Sequence, residues 1–346
     1  MRSIRDADVA GKHVLVRADL NVPLEAGRVA DDTRLRAALP TLELLRDRHA
    51  ASITICSHLG RPNGPDSALA MEPVAERLRE LFQGPLAVLE NTRFDPGETR
   101  NDPAFAETLA AGQDLFVEDA FGSVHRAHAS TVGVPSLIPA YAGLLLEREL
   151  EHLGRLLGEV DRPYVLVCGG AKVEDKLGVL KHLGRRADTV LVGGRLAEQL
   201  RIRNTLEFPV ELPVDVVGAP RFEPEAPARI FPVEHLPYAW LGLDIGPRTR
   251  ARFTEILLRA RTIFWNGPMG VFEWPQFADG TKAVATAVVE ADAYTVVGGA
   301  DSLRALNELR LTDLVSWAST GGGAALELLE GKELPGIAVI PSAATA

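Results

Sequence analysis

The fold is decided by the stretch from Tyr164 to Lys176, which reads YVLVCGGAKVEDK. Its first five residues are apolar and fit a buried strand, the paired glycines fit a tight turn, and the amphipathic residues 173–183 fit a helix. A helix N-terminus presents unpaired N–H groups and a partial positive charge, and glycines let a ligand approach the backbone. Lys172 and Lys176 share one helical face, so the stretch favours phosphate binding.

A plainer interpretation of this stretch is a helix start with two solvated lysines. The spacing is not that of a Walker loop, and glycine-led turns between strand and helix are common in α/β proteins. The chain has only six lysines, and two of them lie four residues apart here. The stretch by itself leaves both interpretations open.

Short apolar runs alternate with amphipathic segments along the whole chain. Continuous Val, Leu and Ile strands separated by helices are typical of parallel sheets covered on both faces, so we expect the α/β class with two doubly wound parallel-sheet domains. The predicted strands are 13–17, 52–56, 86–89, 114–117, 164–168, 189–192, 214–217, 262–265 and 294–297. The predicted helices are 33–48, 73–82, 103–111, 143–158, 173–183, 247–259, 276–289 and 301–309.

The length of 346 residues fits two domains better than one. The helix predicted at 143–158 ends at a proline and is the expected bridge, so we place the domains at 1–150 and 151–324. The composition, 46% hydrophobic with a net charge of −10, is that of a globular protein and argues against general nucleic-acid binding. The N-terminus has no signal-peptide pattern and no apolar run would span a membrane, so a cytoplasmic protein is expected. Cys56 and Cys168 end apolar runs and are expected to be buried thiols.

Polar side chains follow each predicted strand of the first half. Because ligands of open parallel sheets bind beyond the carboxyl ends of the strands, these side chains are expected to meet at one edge. Any single one of them would ordinarily be a solvated loop residue, but four strand ends that all supply Arg, His or Asn favour a pocket for a small phosphorylated acid. The residues are Asp19, Asn21, His58, Gly60, Arg61, Glu90, Asn91, Arg93, Asp119, His125, Arg126 and His128.

The second half places glycines at the corresponding positions. Gly169, Gly193, Gly242, Gly267 and Gly298 each follow a predicted strand or begin a helix. Asp301 and Ser302 come directly after the last glycines, where a carboxylate beside a hydroxyl fits either a magnesium position or a helix N-cap. Asn266 adds an amide at another strand end.

Several of these segments closely resemble the phosphoglycerate kinase family, in family order from about residue 17 to residue 336. The segments that carry the resemblance are VRADLNVP at 16–23, DTR at 32–34, SHLGRP at 57–62, DAFG at 119–122, HRAH at 125–128, GGAKVEDK at 169–176, WNGPMGVFE at 265–273, GGADS at 298–302 and STGGG at 319–323.

The resemblance implies two domains joined by a helical hinge, with a C-terminal segment, residues 325–346, that returns to the first domain. It implies magnesium-dependent phosphoryl transfer between 1,3-bisphosphoglycerate and ADP, giving 3-phosphoglycerate and ATP, a step of glycolysis. The first domain would hold phosphoglycerate through Asp19, Asn21, Arg34, His58, Arg61, Arg93 and Arg126. The second would hold the nucleotide through Gly170, Ala171, Lys172, Lys176, Gly242, Leu243, Asn266, Pro268, Glu273, Gly298, Gly299, Asp301 and Ser302.

Within that set the resemblance gives Arg34, Lys176 and Gly299 catalytic roles and makes Asp301 the magnesium ligand. In the ATP-consuming direction the nucleophile is a carboxylate, already ionised at neutral pH, so no general base is needed. The protein must align two anions and neutralise charge on the transferring group, and domain closure is expected to exclude water. Only small-molecule partners are expected, and a monomer.

The chain departs from the family pattern at three places. Only Gln83, Gly84 and Pro85 stand where the family usually has an extra strand and helix. Arg195 replaces a third glycine, and the segment that usually walls the adenosine pocket is short; Arg195 could reach a phosphate or fill the adenine slot. Ala300 replaces a glycine, which would cost about 1 kcal/mol if that position needs a positive φ.

Two hypotheses follow from these departures. The first is a working, shortened phosphoglycerate kinase. The second is a paralogue that binds phosphoglycerate, uses nucleotide poorly and serves as a binding or regulatory protein. The charged residues Arg34, Lys172, Lys176 and Asp301 are all present, which favours the enzyme.

Overall fold

The computed structural model describes residues 1–171, 174–204 and 206–342, and the side chains of all of these except 174 and 175. The chain divides into two compact units. Met1–Glu151 and the segment from Glu333 form the first unit, and His152–Lys332 forms the second. The sequence placed the return to the first domain at residue 325. In the structure the Glu330 carboxylate still packs against Gly178, inside the second unit, and the return begins at Glu333.

The first unit is built on a five-stranded parallel sheet in the order β5-β4-β1-β6-β7. Its central strand is buried at every position after the first, because helices cover both faces. Its strands are β1 (His13–Ala18), β4 (Ser52–Cys56), β5 (Leu86–Val88), β6 (Leu115–Asp119) and β7 (Ala140–Ala142), and a short hairpin of β2 (Leu24–Glu25) and β3 (Arg28–Val29) follows β1. Its helices are α1 (Thr33–Asp47), α2 (Glu72–Leu81), α3 (Pro96–Arg100) and α4 (Pro103–Ala110), and α12 (Pro335–Ala338) comes from the returning segment.

The helix α5 (Leu144–Leu157) begins in the first unit and continues into the second. Asp119, at the end of β6, accepts hydrogen bonds at its Oδ1 from the backbone N–H groups of Leu145 (2.9 Å) and Leu146 (3.3 Å). Its carboxyl is fully buried, and that burial raises the pKa of Asp119 to about 7. The start of α5 is therefore fixed to the edge of the first sheet.

The second unit contains a second five-stranded parallel sheet, in the order β15-β14-β13-β8-β9. Its strands are β8 (Tyr164–Cys168), β9 (Thr189–Val192), β13 (Thr262–Asn266), β14 (Tyr294–Gly298) and β15 (Trp317–Ser319). Its helices are α6 (Glu174–Gly184), α7 (Gly194–Ile202), α8 (Pro247–Leu258), α9 (Asp279–Glu290), α10 (Ala300–Glu308) and α11 (Gly323–Leu329). The α/β class and the two parallel sheets confirm the fold expected from the sequence.

One predicted strand was assigned to the wrong sheet. Residues 214–217 were expected in the second parallel sheet, but β10 (Asp215–Ala219) is the middle strand of a separate antiparallel sheet with β11 (Arg229–Pro232) and β12 (Leu241–Ile245). The apolar run of β10 resembles that of a buried parallel strand, and its partner β11 is mostly exposed, so no alternation of apolar and polar residues marked the pair. The helix predicted at 276–289 is likewise interrupted after a short turn, and α9 begins at Asp279.

Candidate functional site

The polar residues that follow β1 and β4 meet at the carboxyl edge of the first sheet. β1 and β4 are parallel neighbours, so the loops after them lie side by side. The Arg34 guanidinium, on the first turn of α1, donates a hydrogen bond to the carboxylate of Asp19. Asn21 accepts at its Oδ1 from the backbone N–H of Gly60 at 2.8 Å. The predicted residues of these loops thus belong to one connected region.

Three predicted arginines line a cavity of about 540 Å³ at the same edge. Arg93 donates from Nη1 to the carbonyl of Gly60 at 2.6 Å, and burial, together with the charges of Arg126 and Arg17, lowers the pKa of Arg93 to about 10. The lining residues, all in the described part of the chain, include no carboxylate: they are Arg61, Pro62, Asn63, Gly64, Arg93, Phe94, Pro96, Thr99 and Arg126. A concave surface with this charge suits a small anion.

His58 is 6% exposed and lies among arginines. Burial and then the charge of Arg17 hold the pKa of His58 well below its usual range, so the ring is neutral at physiological pH. It can donate a hydrogen bond to an anion but cannot bring a charge to it. His125 behaves similarly, because burial and the adjacent Arg126 lower its pKa to about 4.

Arg17 is a site residue to which the sequence reasoning assigned no role. It is 1% exposed, and its Nη2 donates to His58 Nδ1 at 2.9 Å while its Nη1 donates to the Ala18 carbonyl at 2.6 Å. The signal was available in the sequence, since an arginine interrupts the apolar run of β1. A buried guanidinium requires partners, and such partners are commonly found at a functional edge.

The loops after β8 and β13 meet where the strand order of the second sheet reverses. Lys176, on α6, donates from Nζ to the carbonyl of Gly169 at 2.5 Å and lies 3.4 Å from the carbonyl oxygen of Asn266. Such reversal points are the usual ligand positions of doubly wound sheets. Lys172, the other lysine of the opening stretch, lies outside the described residues.

A second cavity of about 710 Å³ opens beside this reversal point. Of the predicted nucleotide residues, it is lined by Gly170, Ala171, Gly242, Leu243, Pro268, Glu273 and Asp301. The rest of the wall is formed by Arg195, whose departure from the family pattern is described above, and by residues that were given no binding role: Gly194, Glu198, Phe222, Leu241, Gly270, Val271 and Trp274.

Asn266 and Ser302 are predicted nucleotide residues that do not line this cavity. Asn266 is 4% exposed, and the buried Ser302 hydroxyl accepts from the backbone N–H of Gly267 at 2.6 Å. Gly267 has φ of 97°, and a Cβ there would lie 2.0 Å from Lys176 Nζ, so only glycine permits this approach. The Ser302 hydroxyl therefore holds the loop backbone at Gly267.

Glu273 forms an ion pair with Arg304, whose guanidinium lies 4.6 Å from the centre of the Phe272 ring. Both members of the pair are about half exposed. A ligand hydroxyl that binds the Glu273 carboxylate must therefore share it with Arg304.

The Ala300 substitution is not strained. Ala300 is the first residue of α10 and does not have a positive φ. Gly299, which precedes it, has φ of 89°. Gly298 ends β14, and Gly299 packs near the Asn266 amide. The left-handed conformation thus falls on the glycine that the chain retains.

Asp301 is the only predicted metal ligand, and within the described residues no group of three His, Cys, Asp or Glu side chains could hold a metal ion. Its exposed carboxylate lines the larger cavity. A single carboxylate with phosphate oxygens is a common arrangement for Mg²⁺, which keeps several waters.

In the part of the chain that the structure describes, no helix is long and apolar enough to span a membrane.

The chain matches the family model "Phosphoglycerate kinase" in three consecutive pieces, residues 4–87, 82–208 and 200–332. Phosphoglycerate kinases of Rubrobacter xylanophilus and Thermus thermophilus are 50% and 45% identical over 385 and 389 aligned positions, covering 98% of this chain and 98% and 100% of theirs. Solved phosphoglycerate kinase structures from Coxiella burnetii and Pyrococcus horikoshii OT3 align with TM-scores of 0.86 and 0.84 at 36% and 32% identity, with 98% of each chain covered.

The alignments are longer than the 346 residues of this chain, so these relatives carry segments that it lacks. The joints between the matched pieces fall at 82–87 and 200–208. Those are the two places where the sequence is short of the family pattern.

Proposed function

The chain belongs to the phosphoglycerate kinase family, and we propose that its first unit binds phosphoglycerate and its second unit binds the nucleotide. The enzyme is a phosphotransferase with a carboxyl group as acceptor, which interconverts 1,3-bisphosphoglycerate and ADP with 3-phosphoglycerate and ATP. The observation that carries the first assignment is the convergence of Arg61, Arg93 and Arg126 on one cavity.

In this proposal the three arginines bind the phosphate of 3-phosphoglycerate through charge-assisted hydrogen bonds. Asp19 and Asn21 take the hydroxyl, and the neutral His58 ring donates its remaining N–H. Arg34 neutralises charge on the transferring phosphoryl group, held by its hydrogen bond to Asp19. Because the acceptor is an ionised carboxylate, the site needs no general base, and a set of donors with a neutral histidine meets that requirement.

In the second unit, the apolar wall formed by Leu243, Val271 and Trp274 takes the base, and Gly242 and Pro268 take its edges. Glu273 binds the ribose. The backbone of Gly170 and Ala171, Lys172, Lys176 and the loop of Gly298 and Gly299 hold the phosphates. The Asn266 amide lies against Gly299, and Ser302 holds the backbone of Gly267. Gly299 and Lys176 are the catalytic members of this set.

Asp301 would hold magnesium together with nucleotide phosphates, since its exposed carboxylate lines the cavity and supplies the oxygen ligand that the ion prefers. When bound, the ion would neutralise charge on the phosphates. We also infer a cytoplasmic monomer with no nucleic-acid partner, in keeping with the net charge of −10.

A coupled assay of ATP-dependent phosphorylation of 3-phosphoglycerate tests the activity, and calorimetric titration of 3-phosphoglycerate into Arg126→Ala tests the site. Loss of measurable binding in that variant is expected, whereas unchanged binding would remove the first unit as the phosphoglycerate site. The alternative of a binding protein that uses nucleotide poorly is not favoured, because the chain is 50% identical to a phosphoglycerate kinase over 98% of its length.

A further inference from the structure

Four buried polar side chains form a continuous line of hydrogen bonds in the first unit. Glu98 accepts at its two oxygens from the hydroxyl (2.6 Å) and the backbone N–H (3.0 Å) of Ser130. Arg17 donates from Nε to the Ser130 hydroxyl at 2.9 Å and from Nη2 to His58 Nδ1 at 2.9 Å. Glu98 and Ser130 are 0% exposed, Arg17 1% and His58 6%.

The chemistry of the donors gives this line one direction. A guanidinium can only donate, so His58 Nδ1 accepts and the ring proton stays on Nε2. Because Ser130 accepts from Arg17, its own hydroxyl proton is directed to Glu98, as the 2.6 Å distance shows. The tautomer of His58 and the orientation of its ring are thus set by Arg17, and the position of Arg17 depends through Ser130 on the Glu98 carboxylate.

The Glu98 carboxylate is ionised in the folded protein. Burial opposes its ionisation, but the nearby His128 ring, the hydrogen bonds from Ser130 and the charge of Arg17 together lower the pKa of Glu98. His128 Nδ1 lies 3.6 Å from Glu98 Oε1. Glu98 is therefore a buried counter-charge for the arginines of this edge.

In the sequence, Glu98 lies next to residues that line the cavity. The helix α3 that carries it supplies Pro96 and Thr99 to the cavity wall, although Glu98 itself is not on the wall. Arg17, through its bond to the Ala18 carbonyl, fixes the backbone directly before Asp19. Arg17 therefore contacts both His58 and the backbone that precedes Asp19, and the buried line of hydrogen bonds holds Arg17 in place.

We propose that Glu98 is a positioning residue for phosphoglycerate binding, acting through Ser130 and Arg17 on His58. The inference rests on the proposed assignment of phosphoglycerate to the first unit. It gives a role to a carboxylate that does not line the cavity.

The test uses Glu98→Gln, which preserves shape but turns one accepting oxygen into an amide that opposes a Ser130 donor. We expect its Kd for 3-phosphoglycerate to rise about tenfold, since a buried donor loses its acceptor. Its Kd for ATP should stay within about twofold of wild type. Ser130→Ala removes only the hydroxyl that links Glu98 to Arg17, and it replaces Glu98→Gln in the test if that variant does not fold.

Two further measurements separate positioning from loss of structure. The double variant Glu98→Gln/Ser130→Ala should bind 3-phosphoglycerate no more weakly than the worse single variant, because both break one line. The ¹⁵N shifts of the His58 ring should show the Nε2–H tautomer in wild type and a mixture in Glu98→Gln. Glu118→Gln is the matched control. Glu118 is a fully buried carboxyl beside Arg17 that accepts from the Ala120 N–H instead of from the line, and its variant should bind normally.

Unchanged 3-phosphoglycerate affinity in both single variants would overturn the inference, and so would equal weakening of 3-phosphoglycerate and ATP. Additive effects in the double variant would also overturn it. Arg126→Ala separates the site from the positioning role: if this variant retains binding, the proposed site fails, whereas if it loses binding and Glu98→Gln does not, only the positioning role fails.

Discussion

The ammonium nitrogen of Lys176 lies 2.5 Å from the carbonyl oxygen of Gly169, so the first turns of α6 are tied to the end of β8. The same ammonium lies near the Asn266 carbonyl at the end of β13. A cation is therefore held at the point where the strand order reverses, close to the backbone that is proposed to bind phosphate.

Lys176→Ala should lower turnover by about a hundredfold, because one preorganised charge is worth on the order of 3 kcal/mol to a phosphoryl transition state. Lys181→Ala, an exposed lysine in the last turns of the same helix, is the control and should stay within about threefold of wild type. Steady-state kinetics decides, and equal losses in the two variants would refute the phosphate role of Lys176.

Arg34→Ala should reduce turnover far more than it weakens ATP binding. Its guanidinium pairs with Asp19 at the edge of the first sheet, and its loss removes a transition-state charge worth about 3 kcal/mol. Arg36→Ala lies two residues on in α1 and breaks only a surface pair with Asp32, so its turnover should hardly change. Turnover of Arg34→Ala within about threefold of wild type would remove the residue from the mechanism.

Gly299→Ala should impair activity, whereas Ala300→Gly should not. Gly299 has φ of 89°, where a Cβ costs about 1 kcal/mol and would lie 3.0 Å from the Asn266 amide. Ala300 is helical, so replacing it relieves no strain. The comparison is made by kcat/KM for ATP, and an improvement in Ala300→Gly would show that the alanine does distort the loop.

The cavity proposed for the nucleotide should discriminate poorly between ATP and GTP. Arg195 is exposed and lines the cavity of about 710 Å³, and this exposed position favours contact with phosphate over filling of the adenine slot. We expect Arg195→Gly to weaken binding of both nucleotides about threefold, through lost attraction to phosphate. Calorimetry with ATP and GTP tests this, and tighter ATP binding by the variant would restore the other alternative.

Asp119→Asn should gain stability relative to wild type as the pH rises. The pKa of Asp119 is about 7 in the folded protein against an ordinary 3.8, so between these values the folded state holds a proton that the unfolded state releases. The wild type therefore loses about 1.4 kcal/mol for each pH unit in this window, while asparagine has no proton to lose. The Tm of the variant minus the Tm of wild type should rise from about pH 4.5 to about pH 7.5. A constant difference would contradict the raised pKa of Asp119.

Sequence patterns located the strands of both parallel sheets because a strand buried on both faces is a continuous apolar run. β4, β8 and β9 have the predicted bounds. The edge strands β7 and β15, three residues each, were not predicted because so short a run carries no period. The antiparallel sheet was missed for a different reason, since its outer strand β11 is mostly exposed.

The loop residues of the candidate site could be predicted from the sequence, but the buried side chains behind them could not. Arg61, Arg93 and Arg126 are at one cavity, as their places after parallel strands suggested. Ser302 accepts from the Gly267 backbone, and hydrogen bonds link Glu98, Ser130 and Arg17 to His58. These are side-chain contacts between distant segments of the chain. No local pattern of residues encodes those contacts.

The first unit is discontinuous in the chain, and this has a consequence for how the protein is made. The Arg2 backbone N–H donates to the Pro341 carbonyl at 2.8 Å, and Gly336 donates to the Val124 carbonyl at 2.9 Å. On the ribosome, the amino-terminal half must therefore wait for the whole second unit to be synthesised before it can close these bonds. Residues 152–332, by contrast, are contiguous and need no later segment of the chain to complete their own contacts.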